Sequence, residues 1–236
     1  KAADKAGEKV LILGGGSNLL ISDAGFAGTV IRVESKGNAL DYDACSGGMI
    51  EVSAGEDWDK FVELTIEKGF ADLESLSGIP GTVGGAPIQN IGAYGHEVSE
   101  TIARVKAYDR KKGEVITFTN EQCHFSYRNS AFKEDAGRYV ILNVTFQLRK
   151  GEMSLPITYA ELANYLSVNL GDRAPVMKVR QAVLELRGRK GMLINSSDVN
   201  SNSAGSFFVN PILTKEIADK LPADAPRWPQ SDGRVK

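Results

Sequence analysis

Residues 74–95 are rich in glycine yet nearly uncharged, and no other part of the chain constrains the fold as strongly. Six glycines and two prolines stand there among apolar side chains such as Ile79, Val83 and Ile91. A flexible linker would carry serines and charges in place of these apolar residues. Glycines let the main chain bend sharply and approach a ligand closely. The segment therefore predicts a partly buried binding loop for a large cofactor with a flat ring and a charged phosphate tail.

Another glycine loop lies earlier in the chain, at residues 14–18; we call it the first glycine loop, and the one within 74–95 the second. It follows the apolar run 10–13, which predicts a short buried strand. Successive backbone N–H groups in such a turn can form an anion nest. The Rossmann pattern needs glycine at the sixth place, where Leu19 stands before strand-like residues, and a Walker loop needs a Gly-Lys-Ser/Thr triplet that this loop lacks. We interpret it as a phosphate loop between two strands. A tight hairpin turn without a ligand is the alternative, and the presence of two such loops favours a nucleotide cofactor.

Composition excludes several classes of protein. The chain has 236 residues, of which 42% are hydrophobic, so it can bury a core in one large domain or in two to three small ones. Its net charge of −2 and the lack of a basic stripe argue against nucleic acid as a partner, and it has no apolar run of membrane-spanning length. Cys45, Cys123, His96 and His124 are the only thiols and imidazoles. Their spacing predicts reduced, semi-buried cysteines in a cytosolic protein and no metal site.

Hydrophobic periodicity predicts an α+β fold. Strands are expected at 29–33, 49–54, 102–108, 114–119 and 139–148, and helices at 56–68, from 158, from 175 and at 214–221. In the last strand, Val140, Leu142, Val144, Phe146 and Leu148 should share one face. Thr158 and Glu161 have the spacing of a capping box, and Pro175 suits a first helical position. Residues 192–204 are polar and predict a mobile loop.

Two side chains are candidates for chemistry. Arg128 follows aromatic residues, and its planar fork suits a carboxylate or a phosphate, although for a lone arginine a structural salt bridge is the better interpretation. Ser206 stands in Gly-Ser-Phe-Phe, which lacks the Gly-x-Ser-x-Gly pattern of a hydrolase elbow. Because neither histidine has the context of a catalytic triad, Ser206 would act as a proton donor or a ligand, not as a nucleophile.

Five motifs, taken in order, resemble one family. They are Gly-Gly-Gly-Ser-Asn-Leu at 14–19, Leu-Ser-Gly-Ile-Pro-Gly-Thr-Val-Gly at 76–84, Pro-Ile-Gln-Asn-Ile-Gly-Ala-Tyr-Gly at 87–95, Phe-Ser-Tyr-Arg-Asn-Ser at 125–130 and Gly-Ser-Phe-Phe-Val-Asn-Pro at 205–211. The chain resembles the UDP-N-acetylenolpyruvoylglucosamine reductases along nearly its whole length. This resemblance implies the FAD-binding fold of the vanillyl-alcohol oxidase type, with two mixed α+β subdomains. The first would end at residue 33. The second, at 34–191, would include a substrate-capping helical insertion, and a substrate-binding domain would start at 192–236.

The resemblance also assigns residues. Those that would contact FAD are Gly14, Gly15, Gly16, Ser17, Asn18 and Leu19, then Ser77, Gly78, Ile79, Pro80 and Gly81, then Gln89, Asn90, Ile91, Gly92, Ala93 and Tyr94, together with Arg128. Arg128 matches the catalytic arginine beside the flavin and the substrate carboxylate, and Ser206 matches the serine that protonates the intermediate. The remaining substrate-binding matches are Tyr159, Arg187, Lys190 and Asn210, of which Arg187 is the weakest.

The activity that the resemblance implies is the reduction of UDP-N-acetylglucosamine enolpyruvate to UDP-N-acetylmuramate in peptidoglycan precursor synthesis. NADPH would be the hydride donor and FAD would be held without a covalent bond, in a monomeric cytoplasmic enzyme. The family begins earlier and continues further, and its catalytic glutamate has no counterpart here, so truncation at both ends is expected. Two alternatives stay open: another flavoprotein oxidase of the same fold, and a non-redox nucleotide-binding module.

Overall fold

The computed structural model describes residues 1–43, 47–201, 203–206, 208–230 and 232–236, with only the backbone given for residues 42 and 43. The described chain separates into two compact units, Lys1–Ala204 and Gly205–Lys236. Their boundary falls inside the third predicted domain, 192–236. The three predicted domains stay a prediction.

Most of the secondary structure lies in the first unit. Among the described residues the strands are, in chain order, β1 (Val10–Leu13), β2 (Thr29–Arg32), β3 (Asn38–Asp43), β4 (Gly47–Ser53), β5 (Gly92–Ala93), β6 (His96–Glu97), β7 (Ile102–Asp109), β8 (Glu114–Thr119) and β9 (Tyr139–Leu148). The α-helices are α1 (Ala2–Lys5), α2 (Trp58–Glu67), α3 (Ala131–Glu134), α4 (Ala160–Leu166), α5 (Val176–Arg189) and, in the second unit, α6 (Lys215–Ala218).

A five-stranded antiparallel sheet forms the centre of the first unit, with the strand order β3-β4-β9-β7-β8. The strands β1 and β2 pair with each other in parallel, and β5 and β6 form a two-residue antiparallel pair. The predicted strands and the hairpin from β7 to β8 are therefore confirmed. The predicted strand at 10–13 also forms, but its residues are only partly buried.

Helix α2 supplies the main core through its apolar face. The Asp57 carboxylate caps the helix by accepting from the Lys60 N–H at 3.0 Å, and Gly69, at φ +75°, follows its end. Trp58 and Phe61 are buried, and their rings lie 6.0 and 4.9 Å from that of Phe146 in β9. Aromatic packing of this kind stabilises the helix more than its own propensity does.

The alternation predicted for β9 is interrupted. In the pairing with β7, Lys106 lies opposite Asn143 and Ala107 opposite Ile141, so Leu142 is an extra residue on β9. A bulge shifts the side-chain alternation by one residue. Val144, Phe146 and Leu148 are buried as predicted, but Ile141 takes the buried place before the bulge, and Val140 and Leu142 are only half-buried. The prediction of one continuous face was wrong for these two residues.

Helices α4 and α5 build a second core cluster. Its buried members are Tyr94, Ile157, Leu162, Ala163, Ala174, Val179, Ala182, Val183 and Leu186. The predicted capping box is wrong, because Tyr159 holds the N-cap position of α4 and no side chain caps it. Glu161 instead contacts Lys190 beyond the end of α5. Pro175 is the N-cap residue of α5 and not its first helical residue.

The second unit is small. Helix α6 begins after Thr214, and isolated bridges join Val235 to Leu213 and to Pro229. The Arg227 guanidinium donates hydrogen bonds to backbone carbonyls, among them those of Leu221 and Pro222. A cavity of about 250 Å³ lies within this unit.

Candidate flavin and substrate site

The first glycine loop connects two parallel strands. Because β1 and β2 run in the same direction, the connection between them cannot be a tight hairpin turn, which excludes that alternative for residues 14–18. Residues 19–21, whose composition is strand-like, form no strand, and their side chains are exposed. Gly16 has a φ of +74°, in the left-handed region that favours glycine. The loop is therefore open enough, and bent sharply enough, to accept a ligand.

The two glycine loops touch each other. A Cβ on Gly15 would lie 3.0 Å from the Cα of Gly81, and a Cβ on Gly14 would lie 2.8 Å from Oγ1 of Thr82. The Ser17 hydroxyl donates a hydrogen bond to the Pro80 carbonyl at 3.1 Å. We call this line of contact the seam. The fold thus brings together residues 14–18 and 77–82, as a shared cofactor site requires.

Part of the second loop serves the fold itself. Gly84 donates its N–H to the Ala54 carbonyl at 2.8 Å, and a Cβ on Gly84 would lie only 2.5 Å from the Cβ of Ala54. The Trp58 indole donates to the Leu76 carbonyl at 2.9 Å, and the Trp58 N–H donates to the Gly81 carbonyl. The loop therefore lies directly against the core, and Gly84 is required by packing.

The third predicted flavin segment, residues 89–94, is held by its own hydrogen bonds. The buried Asn90 side chain donates to Glu97 at 2.6 Å and to the Ser126 carbonyl at 3.2 Å, and it accepts from the Ser99 N–H. The Asn18 amide donates to Gln89 at 3.1 Å, which joins this segment to the first glycine loop. Asn90 therefore organises the segment, whose backbone is also paired in part, through the Ile91 N–H with the Ala86 carbonyl and through β5 with β6.

Arg128 lies in a tight two-residue turn. Ser126 and Asn129 exchange two backbone hydrogen bonds of 3.1 and 3.0 Å around Tyr127 and Arg128. The φ of Arg128 is +53°, which costs a non-glycine residue about 1 kcal/mol or more. Ser130 ties the turn to the flavin segment by donating to the Ile88 carbonyl at 2.6 Å. Strained backbone of this kind is concentrated at functional sites, so the turn supports a role for Arg128.

The predicted substrate residues of the first unit gather where α5 ends. The Lys190 ammonium lies 2.6 Å from the Glu161 carboxylate, and this hydrogen bond raises the pKa of Lys190. The half-exposed ring of Tyr159 meets the ring of Tyr94 edge to face, with their centroids 5.5 Å apart. Arg187 donates to the Gly78 carbonyl at 3.2 Å. These residues therefore lie beside the second glycine loop.

The other two predicted substrate residues belong to the second unit. Ser206 and Asn210 are both exposed in that unit, and Asn210 lines its cavity. Their assignment stays a prediction.

A cavity of about 370 Å³ adjoins the seam, and some of the residues that line it were not identified by the sequence motifs. It is lined by Gly14, Gly15, Arg32, Val33, Glu34, Lys36, Gly55 and Thr82. Arg32 is the last residue of β2 and pairs with Glu34 at 3.0 Å, and Lys36, four residues further on, pairs with Glu56 at 3.4 Å. Two basic residues near the end of a strand were the available signal for an anionic ligand. Backbone without Cβ atoms, a cavity and nearby cations fit a dinucleotide with a diphosphate.

The thiol chemistry of the described chain is limited. Burial raises the pKa of the Cys123 thiol to about 12, so it is not a thiolate at neutral pH. Cys45 lies outside the described residues. Among the residues that are described, no three His, Cys, Asp or Glu side chains come together as a metal site would require. Over the same residues, no helix has the length and apolar character needed to cross a bilayer.

Comparison with known proteins gives the family of the chain. Residues 1–119 match the model of a family described as an FAD binding domain. The UDP-N-acetylenolpyruvoylglucosamine reductase of Cutibacterium acnes is 50% identical over 233 residues, which is 99% of this chain and 61% of that protein. The enzyme of the same name from Thermobifida fusca is 45% identical over 245 residues, or 99% of this chain and 68% of that protein.

A solved structure of an enzyme of this name has a similar fold. The crystal structure of UDP-N-acetylenolpyruvylglucosamine reductase (MurB) from Thermus caldophilus superposes with a TM-score of 0.59 at 25% identity, over 89% of this chain and 64% of that one. The fold and the matching family model define a flavoprotein with an FAD-binding domain. The chain belongs to the UDP-N-acetylenolpyruvoylglucosamine reductase family, and it spans 61% and 68% of the length of the two curated relatives above. The predicted family, FAD-binding fold and FAD cofactor are confirmed.

Proposed function

We propose that this chain is the flavin-binding part of an enzyme that reduces UDP-N-acetylglucosamine enolpyruvate to UDP-N-acetylmuramate, with NADPH as the hydride donor. The relatives carry the name of a reductase of an enolpyruvyl nucleotide sugar. The observation that supports the proposal most is the contact between Gly15 and Gly81, because it joins two backbone loops into one cradle. The product retains the nucleotide sugar, so a single enzyme must bind a dinucleotide and a diphosphate ester. We propose that it works as a monomer in the cytoplasm, where NADPH is the common reductant.

FAD would be held by the backbone of the two glycine loops and of residues 89–94, with Arg128 beside it. When bound, it supplies the hydride transfer that amino-acid side chains cannot perform. The chain's two histidines and two cysteines lie outside the glycine loops and the segment 89–94, so we propose that the flavin is not covalently attached. Acid precipitation should then leave a colourless pellet and a yellow supernatant.

Arg128 would stabilise the charge that develops on the substrate. Addition of hydride to the terminal alkene carbon places negative charge on the neighbouring carbon, and this charge is shared with the carboxylate. A fixed guanidinium facing that carboxylate is a preorganised electrostatic stabiliser, a contribution typically of about 3–4 kcal/mol to the barrier. The strained backbone of Arg128 supports this role, because strain of this kind is concentrated at functional sites.

Ser206 would complete the reduction by donating its hydroxyl proton to the carbon next to the carboxylate. A carbanion is a stronger base than an alkoxide, so the serine needs no lowered pKa. General acid help of this kind contributes roughly 100- to 10,000-fold to the rate. The new C–H bonds then carry one hydride and one proton, which balances the reduction of the alkene.

The diphosphate and its sugar would be bound by Lys190, Tyr159, Asn210 and Arg187. In the structure Lys190 is paired with Glu161, so the diphosphate would have to compete with a carboxylate for the ammonium. Remote binding of this kind accelerates the reaction only when it holds the alkene in line with the reacting atoms.

The test follows the colour of the whole protein. It should purify yellow or take up added FAD, bleach with NADPH in the absence of oxygen, and regain its colour when the enolpyruvyl substrate is added. Colourless protein that rejects FAD would favour the non-redox nucleotide-binding module. Rapid reoxidation by air without substrate would favour an oxidase of the same fold.

A further inference from the structure

The backbone of Gly78, in the second glycine loop, is held at both its N–H and its carbonyl group. Its N–H donates to the Asp59 carboxylate at 2.6 Å, and its carbonyl accepts from Nε of Arg187 at 3.2 Å. Gly78 has a φ of +68°, and a Cβ there would lie 2.5 Å from Cδ2 of Leu193. Both backbone hydrogen-bonding groups of Gly78 are thus used by the protein.

Asp59 is itself fixed by a buried partner. Arg180 is only 7% exposed, and its two terminal nitrogens lie 2.7 and 2.9 Å from the two carboxylate oxygens. Burial opposes ionisation of Asp59, but the hydrogen bonds from Arg180 and Gly78 outweigh it, so the pKa of this carboxyl is lowered. A fork-to-fork pair of this kind fixes geometry as well as charge.

The three side chains converge from distant parts of the sequence. Asp59 lies in the first turn of α2, Arg180 in the middle of α5 and Arg187 in its last turn. All three are linked to one glycine of the loop 77–81, which also meets the first glycine loop through Pro80 and Gly81. A buried ion pair is weak evidence for stability, so this convergence on a binding loop calls for another explanation.

We propose that Asp59, Arg180 and Arg187 are positioning residues that fix the backbone of residues 77–81 for the flavin. This inference rests on the proposed role of that segment in binding FAD. A site made of backbone groups binds tightly only if the backbone is ordered beforehand, since ordering it during binding reduces the affinity. Asp59 and Arg180 act through Gly78 and not by contact with the cofactor. Arg187 links the Gly78 carbonyl to the end of α5, where Lys190 lies.

The test compares Asp59→Asn, Arg180→Lys and Glu63→Gln. Asparagine leaves one acceptor oxygen for three donors, and lysine keeps the charge without the fork. Glu63 is the matched control, because it is the more distant partner of Arg180, at 3.6 Å, and its side chain is 55% exposed. We expect Asp59→Asn and Arg180→Lys to weaken FAD binding by roughly 10- to 100-fold, while Glu63→Gln binds like the wild type.

FAD affinity is measured by quenching of flavin fluorescence in apoprotein whose far-ultraviolet circular dichroism shows it to be folded. The midpoint potential and the visible circular dichroism of the bound flavin are recorded as well, because a merely structural ion pair would not change them. We expect both to shift in Asp59→Asn and Arg180→Lys. If Asp59→Asn does not fold, Arg187→Ala gives the answer, since it releases the Gly78 carbonyl and leaves the Asp59–Arg180 pair intact.

The outcomes separate this inference from the proposed function. Wild-type protein that binds no FAD overturns both. Wild-type protein that binds FAD, together with folded Asp59→Asn or Arg187→Ala of unchanged affinity, potential and spectrum, overturns the positioning role alone.

Discussion

At Gly15 the two glycine loops lie so close that a side chain would have to push them apart. An alanine there would place its Cβ 3.0 Å from backbone, which cannot move aside as a flexible side chain would. We expect Gly15→Ala to separate the loops and weaken FAD binding by about 10-fold or more, with little loss of stability because Gly15 is exposed. Fluorescence titration with FAD measures the change.

Gly188→Ala is the control for that substitution. Gly188 lies in α5, and a Cβ there would have only an ordinary contact, 3.6 Å from Leu193. Alanine should bind FAD normally and stabilise the helix by up to about 1 kcal/mol. Equal FAD affinity for the two alanine variants would contradict the prediction that the seam is part of the FAD-binding site.

A substitution at Ser206 should distinguish the two half-reactions. In the whole protein, Ser206→Ala should leave the reduction of the flavin by NADPH nearly intact and slow its reoxidation by the enolpyruvyl substrate by roughly 100- to 10,000-fold. Anaerobic stopped-flow absorbance at the flavin band measures each step alone. Ser203→Ala, three residues earlier, is the control. Slowing of both half-reactions alike would contradict the role of proton donor.

Single residues could be assigned from the sequence only where a motif surrounds them. Gly15 and Gly81 were predicted to bind the cofactor, and the fold brings them together. Asp59 and Arg180 were missed, because 121 residues separate them and neither stands in a motif. A pair joined across that distance has no periodic or local signal, so only the three-dimensional structure reveals it.

Strand β6 is connected to the segment that precedes α4 through His96. Its Nδ1 lies 2.9 Å from the Glu100 carboxylate and its Nε2 lies 3.3 Å from the Pro156 carbonyl. Both partners are acceptors, so only the doubly protonated ring can donate to each of them. The hydrogen bond to Glu100 raises the pKa of His96 against the opposing effect of burial, and the carboxylate of Glu74 adds to the increase.

This raised pKa predicts a pH dependence of stability. The contribution of His96 should be fully present below its unfolded pKa, about 6.5, and lost as the pH rises through the higher pKa of the folded state. Urea unfolding of the wild type should therefore show a decrease in unfolding free energy above pH 6.5 that His96→Gln lacks. His124→Asn, at the chain's other and exposed histidine, should keep the decrease. Identical pH profiles for the wild type and His96→Gln would contradict the prediction.

Helices and strands were predicted well where a local periodicity defines them. They were predicted poorly where contacts with a distant part of the chain determine the structure. Helix α2 was predicted at 56–68 from its apolar periodicity, and it forms at Trp58–Glu67. The bulge at Leu142 could not be predicted, because it arises from the register between β7 and β9 and not from the composition of β9. The capping box at Thr158 failed because Tyr159 is the N-cap residue of α4, and Glu161 pairs with Lys190, a partner 29 residues away.

The sheet, both buried clusters and both glycine loops lie in the unit Lys1–Ala204. We expect a polypeptide of residues 1–204 to fold and to bind FAD with an affinity within about threefold of that of residues 1–236. Substrate-dependent reoxidation should be absent from it, because Ser206 and Asn210 are missing. Fluorescence titration and anaerobic absorbance measure the two properties, and a loss of FAD binding of about 10-fold or more would contradict this division of roles.

The parallel ribbon of β1 and β2 is a minor element of the fold, with β1 half-buried and most of β2 exposed. Its loop meets the rest of the unit along the seam, where polar contacts such as that of Ser17 with Pro80 hold it. A dinucleotide lodged there would fasten the ribbon in place, so coenzyme release and fraying of residues 10–32 become one event. Amide hydrogen exchange in the ribbon should slow when FAD is added, by an amount equivalent to about 2.7 kcal/mol at a hundredfold excess over Kd. Exchange in β9 should change much less.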